Sequence, residues 1–141
     1  MKNVVILCCI LITFNFATGN SRVAEFAAQI KVKNYDKAIT LLFKNSPLAQ
    51  KISDGSQQKI ELITQLHQAV QTYGNLVSLN FIVEQKEASL KRQVYLLNFE
   101  KSVLKMDAIF YAPGKVEFLV EYSLDDNLLQ ALREIQSLKA K

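Results

Sequence analysis

The sequence predicts an α+β domain: three N-terminal helices, a four-stranded antiparallel sheet and a short C-terminal helix. Three observations carry this. Apolar residues recur at helical spacing from Ser21 to Tyr73; the period switches to strand-like alternation after Gly74; and turn residues then cut the second half into four extended runs before an amphipathic tail. Helices gathered ahead of an antiparallel sheet, rather than alternating with parallel strands, define the class.

The first helix starts at Ser21 and places Val23, Phe26, Ala27, Ile30 and Val32 along one face, with Lys33-Asn34 as its break. The second starts near Tyr35-Asp36, turns Ala38, Ile39, Leu42 and Phe43 inward, and stops at Asn45-Ser46-Pro47. A polar connection through Ser53-Asp54-Gly55 leads to the third. Ser56 is its N-cap, Ile60, Ile63, Leu66, His67, Val70 and Tyr73 form its stripe, and Gly74 takes the C-cap place. This long helix is the expected cover for one face of the sheet.

In the first strand Val77, Leu79, Phe81 and Val83 alternate with polar residues. A turn near Glu87-Ala88-Ser89 introduces the second strand, Lys91 to Glu100, and Lys101-Ser102 a third that runs to about Tyr111. Ala112-Pro113-Gly114-Lys115 has type II turn chemistry: proline presets the first central dihedral, and glycine takes the positive φ that follows. The fourth strand, Val116 to Tyr122, has Val116, Phe118, Val120 and Tyr122 on one side and Glu117, Leu119 and Glu121 on the other. Asp125-Asp126-Asn127 caps a last helix, directed inward through Leu128, Leu129, Leu132 and Ile135.

Residues 1–19 read as a signal peptide. Met1-Lys2-Asn3 is a short positive start, Val4 to Ala17 an apolar run, and Ala17-Thr18-Gly19 puts small residues at the minus-three and minus-one positions of a cut after Gly19. The run is short for a membrane span and is interrupted by Asn15. Cys8 and Cys9 lie in its middle, where a lipid-acceptor cysteine would not be; an uncleaved N-terminal anchor is the rival reading. Cleavage leaves residues 20–141 as a single cysteine-free domain, periplasmic or secreted and without a stable membrane anchor, held together by its apolar core.

The chain has 141 residues, half of them hydrophobic, with four glycines and two prolines, a composition against disorder. Its net charge of +4 comes from lysines scattered along the chain rather than a dense basic run beside aromatics, so nucleic acid is not an expected partner. One histidine and a cysteine-free mature region carry no metal-ligand spacing, no glycine-rich phosphate loop and no nucleophile elbow, so no metal or cofactor is expected.

The layout resembles the nuclear-transport-factor-2-like (cystatin-like) superfamily, small secreted members in particular. The residues that carry the likeness are Asn34-Tyr35-Asp36-Lys37-Ala38 opening the second helix and the long helix ending at Tyr73-Gly74. With them go the paired strands from Arg92 to Lys101 and from Ala108 to Lys115. The resemblance implies a curved sheet wrapped round helices into a cone. It also implies that a histidine inside the cone can act as general base beside a polar group that stabilises developing charge. His67 is the catalytic candidate on that reading, with Tyr95, Asn98 and Tyr111 as the polar groups; the competing reading puts His67 at the wet rim of its helix. Tyr35, His67, Tyr73, Tyr95, Asn98 and Tyr111 form the candidate ligand-binding set for a small apolar molecule. Tyrosines of this kind are also common core residues with the hydroxyl reaching water. The strand around Tyr95 is apolar on both faces, and the resemblance implies a homodimer through the outer sheet face.

Three function classes follow. The leading one is a non-catalytic binding or protein-interaction module. The others are a small isomerase- or hydrolase-type enzyme acting on a hydrophobic molecule, and an inhibitor or immunity-type protein for another exported protein.

Overall fold

The computed structural model describes residues 19–141, so apart from Gly19 the leader lies outside the described residues. Helix α1 spans Ser21–Lys31, α2 Tyr35–Leu42 and α3 Gln57–Tyr73; strands β1 (Leu76–Glu87), β2 (Leu90–Phe99), β3 (Val103–Tyr111) and β4 (Phe118–Asp125) follow, and α4 (Leu128–Lys139) closes the chain. A 3₁₀ turn, Pro47–Gln50, lies in the connection between α2 and α3. The strands form an antiparallel meander in the order β1-β2-β3-β4. Among the described residues no helix is long and apolar enough to cross a membrane.

Local chemistry sets the helix limits. The side chains of Asn20, Asn34, Ser56 and Asn127 each accept a hydrogen bond from a backbone N–H of the first turn they precede, satisfying donors a helix start leaves free. Lys33 and Asn45 take left-handed backbone after α1 and α2. Gly74 does so after α3 with φ of 85°, where any β-carbon would run into the Glu100 side chain.

The inner face of the sheet is covered first by α1. Val23, Phe26, Ala27 and Ile30 are all buried, and α2 adds Ala38, Ile39 and Leu42. They meet Tyr95, Leu97, Met106, Ala108, Phe110 and Leu119 in one continuous core. Each large aliphatic or aromatic group in it is worth roughly 1.5–3 kcal/mol of burial. These side chains fill the space between the helices and the inner face of the sheet.

α3 is a weaker cover than its sequence implied. Its buried residues are Lys59, Leu66 and Ala69, while Ile60 is half exposed and His67 exposed. The stripe is rotated because Lys59 turns inward. Its ammonium, with 3% side-chain exposure, pairs with Asp36 at 2.9 Å and Asp54 at 2.5 Å and fastens the start of α3 to α2. Burial alone would lower the Lys59 pKa; the two carboxylates outweigh it and raise it.

Three further expectations of facing are overturned, two of them by bulges. In β1, register shifts between Leu76 and Ser78 and between Phe81 and Val83 leave Leu79 and Phe81 opposite Leu97 and Tyr95 on the inner face. They put Val83 opposite Val94 on the outer one and leave Val77 exposed. In β4, a shift opposite Ile109/Phe110 sends Leu119 into the core with Tyr122, rather than Val116 and Phe118. The fourth strand also starts at Phe118, not Val116, and Gly114 is absent from the positive-φ positions, so residues 112–117 form a longer loop instead of a type II turn.

The third change concerns α4, which lies on the opposite face of the sheet from α1–α3. Its Glu134 bonds Arg92 and Lys105, which alternate with the inward-facing Gln93 and Met106. Ala131 is its buried residue, and Leu128, Leu129 and Leu132, expected inward, are exposed. The molecule is thus three layers deep.

Candidate functional site

The residues proposed from sequence fall in separate places. Tyr35 and His67 meet: their rings are 5.8 Å apart and tilted, between the start of α2 and the exposed side of α3. Burial raises the Tyr35 pKa. Tyr73 ends α3 against Phe99, and its hydroxyl donates to Asp126 at 3.2 Å, which raises its pKa. Tyr95 is enclosed in the core. Asn98 sits on the outer face, where its amide donates to Ser78 Oγ at 2.9 Å and Asn80 Oδ1 at 2.7 Å. Tyr111, 41% exposed, is on that same outer face opposite Leu90.

The sheet therefore stands between His67 and Asn98. A general base needs its polar partner within hydrogen-bond reach of one substrate, and these two groups face opposite layers. Tyr122 packs edge-on to Phe43 at 5.5 Å with its hydroxyl pushed up to about 12 by burial.

The surface carries open grooves. One, of about 390 Å³, runs between α3 and the β3–β4 side of the inner face, over Ala69, Tyr73, Leu104 and Leu124. Another, about 340 Å³, lies beside the free edge of β4 and is lined by Phe43, Leu48, Ile52, Leu62 and Tyr122. Ser46 closes the start of that edge by donating to the Leu119 carbonyl and accepting from Leu48 N–H at 3.1 Å.

Two polar clusters were not foreseen from the sequence. Under α4, Arg92 Nε donates to Asp107 at 2.7 Å, Lys105 Nζ contacts Asp107 at 2.8 Å and Glu134 at 2.5 Å, and Arg92 also pairs with Glu134. Hydrogen bonds from Lys105 and Arg92 hold the Glu134 carboxyl below its ordinary range. On the inner face, Tyr95 and Gln93 meet the start of α1: the Asn20 N–H donates to Tyr95 Oη at 2.7 Å and Gln93 Oε1 at 3.2 Å. Burial pushes the Tyr95 hydroxyl up to about 12; the Asn20 bond acts against this, and the Glu84 and Glu117 carboxylates add to it. The sequence signal for both clusters is a polar residue at an inward or covered strand position: Lys105 between Leu104 and Met106, and Gln93 between Arg92 and Val94.

Among the described residues no group of three or more His, Cys, Asp or Glu side chains is placed to hold a metal ion. The chain matches no family model, no curated protein and no solved structure.

Proposed function

We propose that this is an exported protein-interaction module, cystatin-like in architecture, that works through the outer face of its sheet rather than through its interior. The carrying observation is the contrast in how the two faces end. Inside, Phe26, Ile30, Leu42, Tyr95, Met106 and Phe110 fill the space a ligand would need. Outside, the cross-strand neighbours Leu90 and Tyr111 are 49% and 41% exposed, and Leu129 and Leu132 of α4 are 60% and 54% exposed. Apolar side chains gathered on one face and wet in the isolated chain are the ordinary mark of a protein-binding surface.

The partner is a protein, and a homodimer is the form its symmetry would give most simply. Export rests on the leader and the cysteine-free domain behind it. Native mass spectrometry of the protein purified from its host tests the reading. The expected result is a reproducible protein complex, a dimer or a pair with another exported protein, that is lost in Tyr111→Glu. A monomer carrying a small-molecule mass would overturn it and return attention to the open grooves.

A further inference from the structure

The start of α1 occupies a recess with more acceptors than an amide needs. The Asn20 nitrogen carries one hydrogen yet faces both Tyr95 Oη and Gln93 Oε1, at 2.7 and 3.2 Å. The Tyr95 hydroxyl itself donates to Gln93 Oε1 at 2.5 Å, and the Gln93 amide donates to Glu84 Oε2 at 2.5 Å. Glu117 closes the other side, its Oε2 accepting from the Asn20 side-chain amide at 2.7 Å. Tyr95 and Gln93 are 1% and 2% exposed, so the recess is part of the packed interior. Two carboxylates converge on it; the cations that answer them are Lys91, which pairs with Glu117 and lies 4.0 Å from Glu84, and Lys86, 3.1 Å from Glu84.

Residue 20 is also the first residue after the expected cut. Hydrolysis of the Gly19–Asn20 amide adds one water, leaving a carboxylate on Gly19 and an α-ammonium on Asn20. We propose that this α-ammonium is the group the recess is built for, so that the amino terminus created by export is seated as an internal ligand of Tyr95 and Gln93, with Glu84 and Glu117 flanking it.

The chemistry fits in three respects. An ammonium has three N–H donors, enough for both neutral acceptors with one left for a carboxylate. Its charge is opposed by the positive end of α1, worth about half a unit charge, and answered by Glu84 and Glu117, which it would share with Lys86 and Lys91. Gly19 passes so close to the Tyr95 ring that a β-carbon there would overlap it. The bond to be cut is thus packed against the core once the domain has closed, and cleavage has to precede folding, as it does for a chain translocated unfolded.

The inference rests on the export reading, and one experiment separates the two. The full-length chain is expressed in an exporting bacterial host and the exported fraction recovered. Its intact mass should match residues 20–141. Its α-amine, probed at neutral pH with an amine-acylating reagent, should react at least about tenfold more slowly than the same amine in urea. Tyr95→Phe and, separately, Glu117→Gln should each speed that labelling while the far-ultraviolet circular dichroism stays unchanged. A chain retained uncut in the cytoplasm would overturn both readings. Export with a cut at another bond, or a folded α-amine labelled as fast as the unfolded one, would overturn the seated terminus and leave export standing.

Discussion

The two faces of the one sheet are finished in opposite ways. On the inner face the strands meet α1 and α2 through apolar side chains alone over most of the area, with Tyr95, Leu97, Met106, Phe110 and Leu119 at 1% exposure or less. On the outer face α4 is held by ions: Arg92, Lys105 and Asp107 from the strands and Glu134 from the helix. Apolar packing is non-directional and supplies most of the stability. An ionic clamp contributes less, because desolvation offsets the attraction, but it prescribes the position of the helix. The inner face holds the fold, then, and the outer face holds α4 in register while leaving Leu129 and Leu132 in solvent.

The sharpest way to break this contrast is on the inner side. Phe110→Ala should cost about 3–5 kcal/mol, the transfer term plus the cavity left beside its cross-strand neighbour Leu119. Urea denaturation followed by circular dichroism reads it directly. A loss under about 1 kcal/mol would mean that the inner face is not the source of stability.

A smaller effect is expected at the clamp. Glu134→Ala leaves Lys105 and Arg92 to share Asp107 and should cost about 1–3 kcal/mol. Its pH dependence has a definite sign. The folded Glu134 pKa is depressed, so its contribution is present above the ordinary glutamate range and is lost as pH falls from there through the depressed value. Glu134→Gln should therefore be less stable than the parent at neutral pH, with the gap closing in acid. A gap that stays constant with pH would assign the loss to packing instead. The double replacement Lys105→Met with Glu134→Leu should recover part of the stability, as apolar substitutes for buried ion pairs do.

The smallest effect on stability belongs to the exposed side of α4. Leu132→Glu should change the unfolding free energy by no more than about 0.5 kcal/mol. It should nevertheless weaken association measured by native mass spectrometry, which would separate what builds the domain from what it presents. An equal effect on both would place Leu132 in the core's service.

Much of the fold was legible in the chain. The order of elements, the caps at Ser56 and Gly74 and the apolar faces of α1 and α2 all follow from period and capping chemistry, which act over a few residues. The candidate site was far less so. Tyr35 and His67 come together, but Asn98 and Tyr111 face the other side of the sheet from them. Which face a strand residue takes depends on every bulge before it, and the shifts near Leu76, Phe81 and Ile109 carry no distinct sequence signal.

The amino-acid sequence by itself determined the class and the element boundaries to within a few residues, because short-range propensity and periodicity are properties of neighbours along the chain. Tertiary structure alone decided that α1 rather than α3 is the main inner cover, that α4 lies on the outer face with its leucines in solvent, and that the start of the domain is received by Gln93 and Tyr95. Those outcomes depend on residues 73 and 75 positions apart meeting in space. No local pattern encodes such a meeting; it is settled when the helices and the bulged sheet compete to bury the same apolar surface.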